Sequence, residues 1–284
     1  MERSIVGLTA AMVHYFRRPP HSISPLGAAM VTGASSGIGA VYADRLAKRG
    51  YDLILVARNR ERLDAVAQRL RNETGRNITT LSADLSARPD LAKVEALLRD
   101  DGNIRLLVNN AGLGAVTPLL QSDVDKMDDI IAVNITALTR LAYAAAPAFA
   151  ARCKGTLINI SSVVGISEIL NGVYSASKSY VLTFTKFLQN ELADKNVRIQ
   201  VVLPSATATE MWDTVGLPHR NLPPEIVMTT EKMVDAALAG LDQGEVVTIP
   251  GLQDAEDWTR FEAARRDVGG KFGNSEPAPR YKGA

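Results

Sequence analysis

Short, nearly continuous apolar runs alternate with amphipathic stretches along most of this 284-residue chain, and no other feature restricts its fold so strongly. The runs fall at 28–32, 53–56, 78–81, 106–108, 156–160, 197–203 and 246–249. Helical patterns occupy 61–73, 91–99, 128–149 and 172–195 between them. A strand that is apolar on both faces has to be covered on both sides. Strand, helix and strand in steady succession place parallel strands in one sheet with helices over each face. The expectation is a single α/β domain over 27–268, a doubly wound parallel sheet of about seven strands with no internal repeat or linker. Ligands of such sheets bind beyond the carboxyl ends of the strands, where the strand order reverses.

The first run leads into Gly33-Ala34-Ser35-Ser36-Gly37-Ile38-Gly39, and a helical pattern follows with Ala40, Val41, Ala43, Leu46 and Ala47 as its apolar members. Glycines permit a tight turn and close backbone approach, and a helix N-terminus offers free N–H groups to an anion. Strand, turn and helix start together make a phosphate cradle. The spacing is Gly-x3-Gly-x-Gly rather than the commoner Gly-x-Gly-x-x-Gly, and alone it would also suit a plain glycine-rich turn. Further along, Tyr174-Ser-Ala-Ser-Lys178 sets a phenol and an ammonium one helical turn apart on one face. An unperturbed phenol titrates near ~10. A neighbouring positive charge is expected to lower that value and make Tyr174 a proton donor and acceptor. Such pairs are also common on solvated helices.

A formal charge of +1 suggests neither a nucleic-acid nor an anionic-membrane partner. Cys153 is the sole cysteine, so no intrachain disulfide can form; a reducing compartment, and hence a cytoplasmic protein, is expected. The histidines His14, His21 and His219 are scattered, which argues against a metal site. No apolar stretch approaches the ~20 residues that cross a bilayer. In 1–26 the arginines follow the mildly apolar stretch 5–13, opposite to a secretory signal, so a poorly ordered tail or a packing arm is expected there. The glycine- and proline-rich end, 269–284, reads as a flexible tail. The irregular stretch 206–230 holds Met211, Trp212, Val215, Leu217, Pro218, His219, Pro223 and Pro224; this composition suits a lid over a binding site, or else disorder.

These motifs together resemble the short-chain dehydrogenase/reductase family in its compact, single-domain Rossmann form, over about residues 27–250. Thr32-Gly33-Ala34-Ser35-Ser36-Gly37-Ile38-Gly39 is similar to the family's TGxxxGxG cofactor turn, and Asn109-Asn110-Ala111-Gly112 to its NNAG segment. Asn134 stands where the family carries a helix asparagine. Ser161-Ser162 closes a run like its catalytic-serine strand. Either serine has an allowed spacing to Tyr174, and Ser162 is chosen because Ser-Val-Val-Gly165 continues as the family does. The family's proline-glycine after the sixth strand is Pro204-Ser205 here, which takes away some backbone freedom.

The resemblance implies an oxidoreductase that interconverts a ketone or aldehyde and an alcohol, with hydride from a nicotinamide cofactor. Tyr174 would exchange the proton, Ser162 would hydrogen-bond the substrate oxygen, and Lys178 would contact the nicotinamide ribose and depress the phenol. Asn134 would hold a water linking Lys178 to solvent. The cofactor would contact Gly33, Ser35, Ser36, Gly37, Ile38, Gly39, Arg58, Asp84, Asn110, Ala111, Gly112, Tyr174, Lys178, Pro204 and Thr209. At the end of the second strand an NAD site places an acid, whereas an arginine suits a 2′-phosphate; here Ala57 replaces the acid and Arg58 follows. NADP is therefore expected over NAD, although Arg58 would equally serve as a solvated charge at a helix start. Asp84 matches the family's adenine-contacting aspartate or else caps a helix. A silent NADP-binding regulator, and an epimerase or dehydratase of the family's extended branch, are the alternatives. In relatives the helices here at 128–149 and 172–195 pair across a two-fold axis. Leu138, Leu141, Ala142, Ala145, Ala146, Val181, Phe184 and Phe187 exceed one buried stripe, so a homodimer or homotetramer is expected.

Overall fold

In the computed structural model the described residues are 24–167 and 169–282; the expected arm lies outside them except for 24–26. Chain order is β1 (Ala28–Thr32), α1 (Gly37–Lys48), β2 (Asp52–Ala57), α2 (Arg60–Thr74), β3 (Ile78–Ser82), α3 (Arg88–Asp100), β4 (Ile104–Asn109) and α4 (Val124–Ile130). A π-helix, Ile131–Ala137, joins α4 to α5 (Leu138–Ala151). Then come β5 (Gly155–Ile160), α6 (Gly172–Glu191), β6 (Val197–Val202), α7 (Met211–Thr214), α8 (Thr230–Gln243), β7 (Val247–Thr248) and α9 (Ala255–Gly269).

The strands form one parallel sheet in the order β3-β2-β1-β4-β5-β6-β7. This is the doubly wound Rossmann arrangement, and its order reverses between β1 and β4. Side chains alternate between the two faces along each strand. Ala29, Val31, Leu53 and Leu55 enter one core with α1, α2 and α8. Met30, Ile54, Val56 and Leu107 enter the other, with α3, α5 and Leu188 of α6. Fully burying one such Leu or Ile is worth roughly 1.5–3 kcal/mol, so both faces contribute.

Two expectations about the helices need correcting. The 128–149 helix is longer, and Val124–Ala151 is apolar and long enough to cross a membrane by length and composition. It is so apolar because it packs against the sheet, α3 and α6 at once. The same packing removes the supposed surplus: Leu138, Leu141, Ala142, Ala145, Ala146 and Val181 are all buried within this one chain. Of the eight positions only Phe187 is exposed, at 50%. Part of the outer face of α6 is covered by α9, where Lys186 pairs with Glu262 and its Nζ lies 5.9 Å from the centroid of the Trp258 ring.

Candidate active site

The site grows from the carboxyl edge of the sheet. Thr32, the last residue of β1, is 1% exposed, and its Oγ1 accepts from the N–H groups of Asn110 and Ala111, both at 3.0 Å. The Asn110 amide donates in return to the Thr32 carbonyl at 2.9 Å and the Gly33 carbonyl at 3.3 Å. The turn before α1 is thereby tied to the segment after β4 across the reversal point. Gly39 has to be glycine, because a Cβ would overlap the Gly33 carbonyl oxygen. Gly37 has φ +52 and a Cβ there would lie 3.3 Å from Thr209 Cγ2, so the turn is roofed by the segment after β6. Ser36 precedes α1 without capping it by its side chain, which leaves the first-turn N–H groups facing the crevice.

At the end of β2, Ala57 is buried and Arg58 exposed, and its guanidinium has no hydrogen bond or ion pair among the described residues. Arg62, in the first turn of α2, reaches Glu210 beside Thr209 at 2.5 and 2.7 Å. Asp84 is not a helix cap: Ala87 precedes α3, while the Asp84 carboxylate accepts from Ser86 N–H and Oγ at 2.9 and 2.7 Å. Pro204 accepts through its carbonyl from Val163 N–H at 3.0 Å and Ser162 Oγ at 3.3 Å. Ser205 carries no strain, since only Cys153 and Asn196 combine a side chain with positive φ among the described residues.

Ser161 and Ser162 part company in space. Ser161 is 3% exposed and its Oγ donates to the Lys178 carbonyl at 2.7 Å. The Ser162 hydroxyl, which donates to the Pro204 carbonyl, lies close enough to the Tyr174 phenol to favour its ionised form. Lys178, 5% exposed, donates from Nζ to the Ile160 carbonyl at 3.1 Å, and Nζ lies 5.8 Å from the Tyr174 ring centroid. Burial pulls the Lys178 pKa down to about 8. Burial also raises that of Tyr174, and the nearby Ser162 hydroxyl only partly opposes it. The expected depression of the phenol by Lys178 is therefore reversed in these side chains: loss of hydration outweighs an ammonium that points at the Ile160 carbonyl.

Because the folded-state value for Lys178 lies below the ordinary 10.5, the unfolded chain holds a proton between about 8 and 10.5 that the folded chain has released. Stability from this residue is thus gained as pH rises across that window and lost as pH falls through 8. The stability of Lys178→Met relative to wild type should shrink as pH rises from 7 to 10.5. Urea midpoints of both proteins test this; a difference constant with pH would mean that charging Lys178 costs the fold nothing.

Asn134 sits in the π-helix, 1% exposed. Its Oδ1 accepts from Leu113 N–H at 2.8 Å, and its Nδ2 donates to the Leu113 carbonyl at 2.9 Å and Ser177 Oγ at 3.1 Å. Both amide donors are committed, so the side chain grips the strand-to-helix loop instead of presenting a free amide to water. Gly112 lies between this amide and Lys178. Segment 206–230 is pinned at its base: Ala208 N–H donates to the Met228 carbonyl at 2.8 Å, and Met228 N–H to that of Ala206 at 2.9 Å. Met211 and Val215 then pack over Gly114. Among the described residues no three of His, Cys, Asp and Glu gather as a metal site needs. Sequence reasoning gave no individual role to Thr32, Asn171 or Ser177; Thr32 alone carried a signal, as the first residue of the TGxxxGxG-like turn.

A doubly wound sheet, a glycine turn at its reversal point and a serine, tyrosine and lysine gathered beside it define a nucleotide-dependent oxidoreductase type. Residues 27–218 match the model of the short chain dehydrogenase family, and the chain belongs to that family. It is 36% identical over 188 residues to very-long-chain 3-oxoacyl-CoA reductase-A of Danio rerio, covering 64% of this chain and 59% of that protein. The match thus spans about three fifths of that relative's length. A short-chain dehydrogenase from Sphingobium yanoikuyae in complex with NADPH superposes with a TM-score of 0.88 at 44% identity, over 90% of this chain and 100% of that one. The bulky-bulky ketone specific alcohol dehydrogenase from Comamonas testosteroni does so with a TM-score of 0.84 at 42% identity, over 90% and 99%.

Proposed function

We propose that this protein is an NADPH-dependent oxidoreductase that reduces bulky, apolar ketones to secondary alcohols and runs the reverse reaction when alcohol is in excess. The observation that carries the reading is the convergence of Ser162, Tyr174 and Lys178 at one edge of the sheet, with Met211 and Val215 packed on Gly114 of the neighbouring loop. The NADPH and the bulky ketone named for the two solved relatives agree with it.

The residues fit the cofactor. The turn from Gly33 through Ser35, Ser36, Gly37 and Ile38 to Gly39 would hold its phosphates at the uncapped start of α1. Arg58, exposed and with no partner for its guanidinium among the described residues, would take the 2′-phosphate. Asp84 would face the adenine, while Asn110, Ala111, Gly112, Pro204 and Thr209 would line the nicotinamide half. When bound, NADPH supplies the hydride.

The protein's own part is proton supply, orientation and exclusion of water. Ser162 Oγ would donate to the carbonyl oxygen and stabilise the charge that develops there. Tyr174 would give up its phenolic proton to the same oxygen; its raised pKa keeps that proton in place at neutral pH. Lys178, charged below about pH 8, would hold the ribose and favour the phenolate left behind. Asn134 would act by fixing Leu113 and, through Ser177, the helix that carries Tyr174. Purified protein mixed with NADPH and a panel of ketones graded by bulk should consume NADPH fastest with bulky apolar members. An absence of turnover across the panel, with NADPH still binding, would overturn the reading in favour of a silent nucleotide-binding protein.

A further inference from the structure

Asn171 immediately precedes α6 and is 6% exposed, yet every hydrogen-bonding direction of its amide is used. Its Oδ1 accepts from Val173 N–H at 3.0 Å and Tyr174 N–H at 3.2 Å. Its Nδ2 donates to the Thr117 carbonyl at 2.6 Å and to Ser122 Oγ at 3.1 Å. Ser122 Oγ in turn donates to the Thr117 and Pro118 carbonyls at 2.9 and 3.0 Å. One end of the loop between β4 and α4 is therefore fastened to the backbone of Tyr174. Its other end, Leu113, is fastened by Asn134, whose Nδ2 also reaches Ser177 Oγ; that hydroxyl donates to the Tyr174 carbonyl at 2.7 Å. Between the two anchors lies Gly114, on which Met211 and Val215 pack.

We propose that Asn171 is a positioning residue that couples the substrate-facing loop 113–122 to Tyr174, so that a ketone which shifts the loop also shifts the phenol. This makes Asn171 a determinant of substrate specificity as well as a helix cap, and it rests on the reading of Tyr174 as proton donor. The two functions of the amide can be separated chemically. Aspartate caps a helix as well as asparagine does, but its carboxylate has no donor for Thr117 or Ser122. Asn171→Asp thus keeps the bonds to Val173 and Tyr174, loses the one to the Thr117 carbonyl and keeps toward the loop at most a bond accepted from the Ser122 hydroxyl, whereas Asn171→Ala breaks all four.

The experiment compares wild type, Asn171→Asp and Asn171→Ala by backbone hydrogen exchange with NADPH present and by steady-state kinetics on the best ketone of the panel. In Asn171→Asp, exchange should quicken in 113–122 but not in 172–175, and KM for the ketone should rise about fivefold or more, with kcat held within about threefold, as the loss of roughly one hydrogen bond implies. In Asn171→Ala, exchange should quicken in both segments and kcat should fall as well. An Asn171→Asp protein with wild-type KM and wild-type exchange in 113–122 would overturn the proposal and leave Asn171 a helix cap only. Equal losses in both segments in both variants would overturn it too, as plain fraying of α6 gives that pattern. A wild type that turns over no ketone sinks the role of Tyr174, while the exchange data still decide whether loop and helix are coupled.

Discussion

Tyr174→Phe should lower kcat by about 10²–10⁴-fold, the range typical of a lost general acid, and leave the NADPH dissociation constant unchanged. The substitution removes one hydroxyl from a half-buried ring and leaves the ring contact with Lys178 and the backbone bonds to Asn171 and Ser177 in place. Ser162 would still hold the substrate oxygen, so KM should move far less than kcat. The measurement is single-turnover NADPH oxidation beside a binding titration. A variant that keeps more than about a third of wild-type turnover, against the loss expected for a general acid, would remove Tyr174 from the proton-donor role.

The Ala57→Asp, Arg58→Ala double variant should swing the cofactor preference from NADPH toward NADH. A charge-assisted contact to the 2′-phosphate is worth roughly 1.5–3 kcal/mol, about 10- to 150-fold at ~1.4 kcal/mol per decade. Arg58 is exposed, so the effect belongs to moderate, fixed salt and should fade as salt rises. Ala57 is buried at the carboxyl end of β2. There an aspartate would accept from the free 2′-hydroxyl and repel a phosphate. The readout is kcat/KM with both cofactors in both proteins. An unchanged ratio would mark Arg58 as a surface charge.

Much of this was legible because the chemistry is local. The glycine turn announces a backbone conformation that few residues can adopt, and the two-sided apolar strands announce a covered parallel sheet. What stayed hidden depends on contacts between distant segments. The π segment Ile131–Ala137 has the same apolar spacing as an ordinary helix. Helix α9 has no fully buried residue, and its inward face amounts to Trp258 and Glu262, too little to read as a stripe in 255–269. An asparagine before Gly172 looks like a turn until the start of α6 is known, and its reach to Thr117 cannot be seen from neighbouring residues. The direction of the Tyr174 shift escaped for a similar reason: helical spacing brings Lys178 near but does not tell how much water both groups lose.

Thr209 roofs Gly37, and Asn110 ties down Thr32 and Gly33. A nascent chain that has released only β1, α1 and β2 therefore owns the glycines but not the cradle. Pairing of β1 with β4 waits on a long intervening stretch, and such non-local contacts form slowly. A nucleotide held by this turn as proposed would not template the early stages of folding; it would trap a sheet that is already assembled through β6. Ligand that binds solely the completed state draws the population toward it by mass action, so the yield of folded protein should depend on nucleotide supply late in synthesis and not at its start.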